Sequence, residues 1–174
     1  MTQRILGIDP GTLHMGYGLI DVENWEGHYV TAGVLNAKRT FSLGERLHQI
    51  HTQLLNVVEV WHPRVMAIEE PFVPVEAVTR GGPKANLRSA IAVGQAQAVA
   101  LMVAAHYNLP VFHYPPTLVK NVVSGYGQGS KDQVATMVGL LLNLPTMPSP
   151  SDASDALAVA LCYVQQERLN NLTG

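Results

Sequence analysis

The apolar periodicity of this chain first changes at Ser42, and that change limits the folds open to it. Before it, apolar residues come in short strand-like runs: Arg4 to Asp9, Gly16 to Asp21 after the turn Pro10-Gly11-Thr12, and His28 to Leu35 after the polar turn Glu23-Asn24-Trp25-Glu26-Gly27. After it, Leu43, Leu47, Ile50, Leu54, Leu55, Val58 and Trp61 recur at helical spacing until Pro63. Strand-like and helix-like runs then alternate. Val65 to Glu69 reads as a strand ended by Pro71, Leu87 to Tyr107 as a helix and Val111 to Tyr114 as a fifth strand. Pro116 opens a short helix to about Val123, and Ser130 with Gln133 forms a capping-box pattern for a helix to Leu142. Ser151 or Asp152 is placed to cap a last helix reaching about Leu169. Three strands joined by short turns imply an antiparallel meander, and helical crossovers imply parallel pairing afterwards. The expected fold class is α/β: a mixed five-stranded sheet with helices on both faces, one domain over residues 1–174.

Composition narrows the class. A chain of 174 residues can bury roughly two-thirds of its unfolded surface. Its 47% apolar and 14% charged residues leave no room for extended disorder. The most apolar stretch, Leu87 to Tyr107, is broken by Arg88, Gln95, Gln97 and His106, so it reads as a buried helix and not as a membrane span. Met1-Thr2-Gln3-Arg4 runs straight into a strand without a signal-peptide pattern, and Cys162 is the only cysteine. A cytoplasmic protein without disulfides is expected. Net charge is −2, which argues against a generic polyanion binder, yet no acid occurs between Glu76 and Asp132 while Arg80, Lys84, Arg88, Lys120 and Lys131 all do. A neutral total can hide one basic face.

Four carboxylates carry the chemistry. Asp9 and Glu69 end apolar strand-like runs, and Asp152 and Asp155 sit three apart at the start of an apolar helix-like run. Acids at the ends of buried elements are costly to desolvate, and a bound divalent cation is the usual compensation. At i and i+3, Asp152 and Asp155 project from one side of a helix. If that helix crosses the strand ends, the acids converge into a site for two Mg²⁺ or Mn²⁺ ions, typically about 3.5–4 Å apart, suited to phosphoryl transfer. Hard oxygen donors without a Cys or a regular His pair favour Mg²⁺ or Mn²⁺ over zinc. Three of the acids also have a plain structural reading: Asp9 as a turn former before Pro-Gly, Asp152 as a helix cap, Asp155 as a complement to the helix dipole. Glu69, closing an apolar strand, gains nothing structurally. Glu70 rivals Glu69, because strand alternation puts the two on opposite faces and only one can join the cluster.

The chain resembles the RuvC family of Holliday-junction resolving endonucleases over essentially its whole length. The resemblance rests on Ile5-Leu6-Gly7-Ile8-Asp9-Pro10-Gly11-Thr12 with Gly16-Tyr17-Gly18, and on Ala67-Ile68-Glu69 with Phe72 three residues on. It continues through Ser89-Ala90, Gly94-Gln95-Ala96, Val119-Lys120, Lys131 with Val134, and Asp152-Ala153-Ser154-Asp155-Ala156-Leu157-Ala158. It implies a ribonuclease-H-like fold, a homodimer, and paired nicks in opposing strands of a four-way junction during recombination and repair. It also implies that Asp9, Glu69, Asp152 and Asp155 are the catalytic, metal-binding acids, selecting Glu69 over Glu70. One ion held by Asp9 and the C-terminal acids would then activate water, and another bridging Asp9 and Glu69 would steady the leaving 3′ oxygen, giving 5′-phosphate and 3′-hydroxyl ends. Phe72 matches an aromatic that stacks on a junction base, a contact worth roughly 1–3 kcal/mol. Lys120 and Lys131 match basic positions near the scissile phosphate, and the branch-migration proteins RuvA and RuvB are implied partners.

Three departures from the family pattern concern DNA contacts and not the acids. The loop Val73 to Ala85 is long and carries Arg80-Gly81-Gly82-Pro83-Lys84, which makes Arg80 and Lys84 candidate DNA contacts. Gln97 stands where the family often has Arg, and Leu161-Cys162-Tyr163 replaces a common Thr-His pair. His14 reads as a surface turn residue and His113 as a core or edge histidine. The helix Leu87 to Tyr107 is apolar nearly all round and is the candidate dimer interface. Three rivals remain. An actin-like ATPase lobe needs a second domain and phosphate motif, a binding protein that has lost catalysis would lack an acid, and a YqgF-type resolvase would lack Phe72 and Lys120.

Overall fold

The computed structural model describes residues 2–70, 84–125, 130–146 and 149–173. Five strands form: β1 Gln3–Asp9, β2 His14–Glu23, β3 Glu26–Asn36, β4 Val65–Glu69 and β5 Val111–Tyr114. They lie in the order β3-β2-β1-β4-β5. The first three are an antiparallel meander, while β4 joins β1 and β5 joins β4 in parallel. β2 and β3 reach further than their apolar runs. Asn24 (φ 51°) and Trp25 (φ 67°) close a two-residue hairpin, so Glu23 already pairs with Glu26.

The described residues contain five helices: α1 Leu43–Trp61, α2 Lys84–His106, α3 Pro116–Ser124, α4 Lys131–Leu141 and α5 Ser151–Thr173. Local sequence explains their ends. Ser42 and Glu45 form a capping box at the start of α1, and Ser130 with Gln133 forms another at α4. His62 closes α1 in the left-handed region (φ 48°), its N–H donating to the Val58 carbonyl at 2.9 Å, before Pro63 prevents continuation. α2 starts at Lys84 and not Leu87, which shortens the connection before it. The end of the chain departs furthest from expectation. Ser151 is the first residue of α5, not its cap, because the Ala153 N–H donates to the Pro150 carbonyl at 3.1 Å; Asp152 lies inside the first turn.

Strand alternation sorts the core into two layers. Leu6, Ile8, Met15, Leu19, Met66 and Ile68 face α1 and α2. Ile5, Ile20, Val65, Ala67 and Tyr114 face α3, α4 and α5. α5 is the deepest helix, with Ala156 to Val164 buried without interruption between the sheet and α3–α4. Two glycines let it lie so close. A Cβ on Gly7 would overlap the Ala156 carbonyl oxygen, and one on Gly16 would overlap the Asp152 carbonyl oxygen. The bare backbone of β1 and β2 thus seats the first turns of α5 directly over the strand ends. At the opposite end of β1, Arg4 holds Asp21 with two 2.7 Å hydrogen bonds and donates a third to the Trp61 carbonyl at 2.9 Å. No helix among the described residues is long and apolar enough to cross a membrane.

Candidate active site

β1 and β4 are neighbours paired up to Ile8–Ile68, so Asp9 and Glu69 end side by side one residue further on. Alternation places Glu69 on the α5 face, two residues after Ala67, while the exposed Glu70 follows outside the strand. A pocket of about 130 Å³ opens there, lined by Asp9 and Glu69 from the strands, Asp155 from α5, Lys120 from α3 and Lys131 from α4. Pro116, Val119, Val134 and Ala158 form its apolar walls. Asp152, one turn back on α5, does not line the pocket, but its charge acts on Asp9. Five separate segments therefore line one pocket.

The electrostatics follow from that convergence. Asp9 is pushed up to about 8, first by burial and then by the charges of Glu69, Asp155 and Asp152. Glu69 is pushed up to about 7 by burial and by Asp155. Lys131 opposes both shifts, and Lys120 opposes that of Glu69. The Lys131 Nζ lies 3.1 Å from Asp155 Oδ2, a pair that holds the ammonium above its usual range. Acid outnumbers base and is partly desolvated, a balance that a dication corrects. No three His, Cys, Asp or Glu side chains among the described residues close on one point in this conformation. The donor set is all carboxylate oxygen and fits a hard cation such as Mg²⁺ or Mn²⁺.

A family model described as crossover junction endodeoxyribonuclease RuvC matches residues 5–163. The chain belongs to the RuvC family. The RuvC of Dehalococcoides mccartyi (strain BAV1) is 44% identical over 169 residues, which cover 97% of this chain and 95% of that protein. That of Roseiflexus is 39% identical over 160 residues, covering 92% and 89%. The structure of Thermus thermophilus RuvC in complex with a Holliday junction substrate superposes with a TM-score of 0.83 at 31% identity, covering 97% of this chain and 96% of that one. The yeast mitochondrial Holliday junction resolvase Ydc2, at a TM-score of 0.65 and 17% identity, shares the fold. This RuvC-family chain is thus a ribonuclease-H-like α/β protein.

The structure brings Asp9, Glu69, Asp155, Lys120 and Lys131 to one pocket, with Asp152 beside it. Phe72, Arg80 and the Lys84 side chain lie outside the described residues. The Leu161-Cys162-Tyr163 departure is a matter of core packing: all three are buried, and Tyr163 meets Phe112 edge-on at 4.9 Å. Burial, with the charge of Glu69 behind it, pushes the Cys162 thiol up to about 12, so it is an inert core group. Gln97 Nε2 lies 3.1 Å from Nδ1 of His113, which is exposed on the edge strand β5. His14 is also exposed, as the first residue of β2, and contacts Asn36 at 2.8 Å. The wall residues Val119 and Val134 had no assigned role in the sequence. Their signal was spacing, since each lies within a turn of a pocket lysine.

Proposed function

We propose that this chain is a divalent-metal-dependent endonuclease that acts as a homodimer and resolves four-way DNA junctions by paired symmetric nicks. The observation that carries the reading is the meeting of Asp9, Glu69 and Asp155, from β1, β4 and α5, in a pocket that also holds two lysines. Asp9 is the acid on which the charges of Glu69, Asp155 and Asp152 all act, and these four would hold the metal. Bound Mg²⁺ or Mn²⁺, two ions per site, would supply the positive charge that activates water and stabilises a leaving 3′ oxygen. The side chains do the rest. Beside a bound cation Asp9 and Glu69 would stay ionised at neutral pH, and Asp155 and Asp152 would add their carboxylates from α5. Lys120 and Lys131 balance a phosphodiester entering the pocket, and Pro116, Val119, Val134 and Ala158 exclude bulk water around it. The products are 5′-phosphate and 3′-hydroxyl ends.

Phe72 stacks on a base at the crossover, and Arg80 and Lys84 contact backbone phosphates in the same reading. The dimer is supported by α2, whose Ile91, Leu101 and Met102 are exposed, and by the apolar groove of about 470 Å³ between α1 and α2. Two sites related by a two-fold axis suit a nearly two-fold junction. One cytoplasmic ribonuclease-H-like domain working with RuvA and RuvB completes the proposal. The test is incubation with a synthetic four-way junction, a linear duplex and ATP, each with Mg²⁺ or Mn²⁺. Symmetric nicks confined to the junction are expected. Absence of metal-dependent cutting in any junction overturns the reading.

A further inference from the structure

Lys131 sits where helix physics disfavours a cation. It is the first residue of α4, and the Ser130–Gln133 capping box fixes that start, so the ammonium is tethered near the positive end of the helix dipole. The side chain turns away from the helix and meets Asp155 Oδ2 at 3.1 Å, inside the pocket that Asp9 and Glu69 line. The two partners are unequally held. The Asp155 side chain retains 21% of its exposure and Lys131 retains 72%, so the lysine is the more loosely held of the two. An exposed pair of this kind is weak and easily exchanged.

We propose that Lys131 is the resident counter-cation of the acid cluster, holding Asp155 in the free protein and competing there with the divalent ion. The inference rests on the metal reading given above. A dication bound to Asp155 would face the ammonium across a few ångströms, so loading requires Lys131 to swing outward. Once released, the ammonium remains at the mouth of the pocket, available to an anionic oxygen of an incoming phosphodiester. Metal loading and substrate entry then favour each other, because a phosphate that takes Lys131 also frees Asp155.

The test is Mn²⁺ affinity of the full chain without DNA, read from the free-ion electron paramagnetic resonance signal. Wild type is compared with Lys131→Met, Lys131→Arg and Asp9→Asn, each checked for an unchanged far-ultraviolet circular dichroism spectrum. Lys131→Met is expected to bind Mn²⁺ about three- to tenfold more tightly, the effect of removing one weak competing pair and its repulsion of the ion. Lys131→Arg, which keeps the charge, is expected to bind no more tightly than wild type. Unchanged or weaker binding in Lys131→Met overturns the proposal, provided that Asp9→Asn reduces binding. Equal binding by wild type and Asp9→Asn overturns the metal reading itself, and the proposal with it.

Discussion

Removing the charge of Asp9 should stabilise the metal-free protein, and the gain should depend on pH. In the folded chain this carboxyl is pushed up to about 8, whereas in the unfolded chain it ionises near 3.9. Between those values the folded state binds more protons than the unfolded one, so stability falls as pH rises through the window. At about 1.4 kcal/mol per pH unit the burden at pH 8 has a ceiling of roughly 5 kcal/mol. Asp9→Asn keeps the shape and the burial but drops the charge. If about 2 kcal/mol is realised, a chain of this length gains about 4–8 °C in Tm. At pH 5 only the interval above about 3.9 counts, and the gain should shrink to about a quarter. Thermal melts in EDTA at pH 5, 6.5 and 8 measure both quantities. Saturating Mg²⁺ should reverse the order, stabilising wild type by mass action while leaving Asp9→Asn almost unmoved. A variant less stable than wild type at pH 8 without metal, or a gain independent of pH, would refute the reasoning.

Other perturbations follow from the same contacts. Glu69→Gln should likewise raise the metal-free Tm above pH 7, where the folded-state carboxyl ionises, while abolishing junction cleavage; Glu70→Gln, at an exposed position, should change neither. Gly16→Ala inserts a methyl group against the Asp152 carbonyl, so it should cost about 1–3 kcal/mol in chemical denaturation and depress cleavage beyond the loss of folded protein. Arg4→Met breaks the bonds to Asp21 and Trp61 far from the pocket and should destabilise by about 1–2 kcal/mol with cleavage per folded molecule unchanged. Because Arg4 holds Asp21 below the usual carboxylate range, that difference should be present at neutral pH and vanish as Asp21 protonates in acid. Phe72→Ala should lower junction cleavage by about ten- to hundredfold, the equivalent of one lost base stack, with the oligomeric state by gel filtration unchanged.

Much of the site was legible because its acids end elements whose periodicity is strong. Asp9 and Glu69 lie at the last positions of apolar strands, and in a meander-then-crossover sheet the fourth strand can lie next to the first, as β4 does here. The choice of Glu69 over Glu70 needed the family resemblance, since alternation says that the two differ in face without saying which face carries the site. In the structure Ala67 and Glu69 lie on the α5 side, and Glu70 is exposed beyond the strand. What stayed hidden was non-local. Nothing near Gly7 or Gly16 announces that a helix from residue 151 onward will rest on them. The Lys131–Asp155 contact joins residues 24 apart through two helices whose crossing no spacing rule gives. Ser and Asp after Pro150 look like caps, yet α5 begins one residue earlier than a cap at Ser151 would allow.

In the proposed function these acids hold divalent metal. Anomalous diffraction at the manganese edge, from crystals soaked in MnCl₂ with a junction substrate bound, tests it most directly. The expected result is a peak within about 2.1–2.3 Å of carboxylate oxygens of Asp9 and at least one of Glu69, Asp152 and Asp155, with Lys131 turned away from Asp155. Ordered acids with no manganese between them, beside a junction that is nevertheless cut, would contradict it.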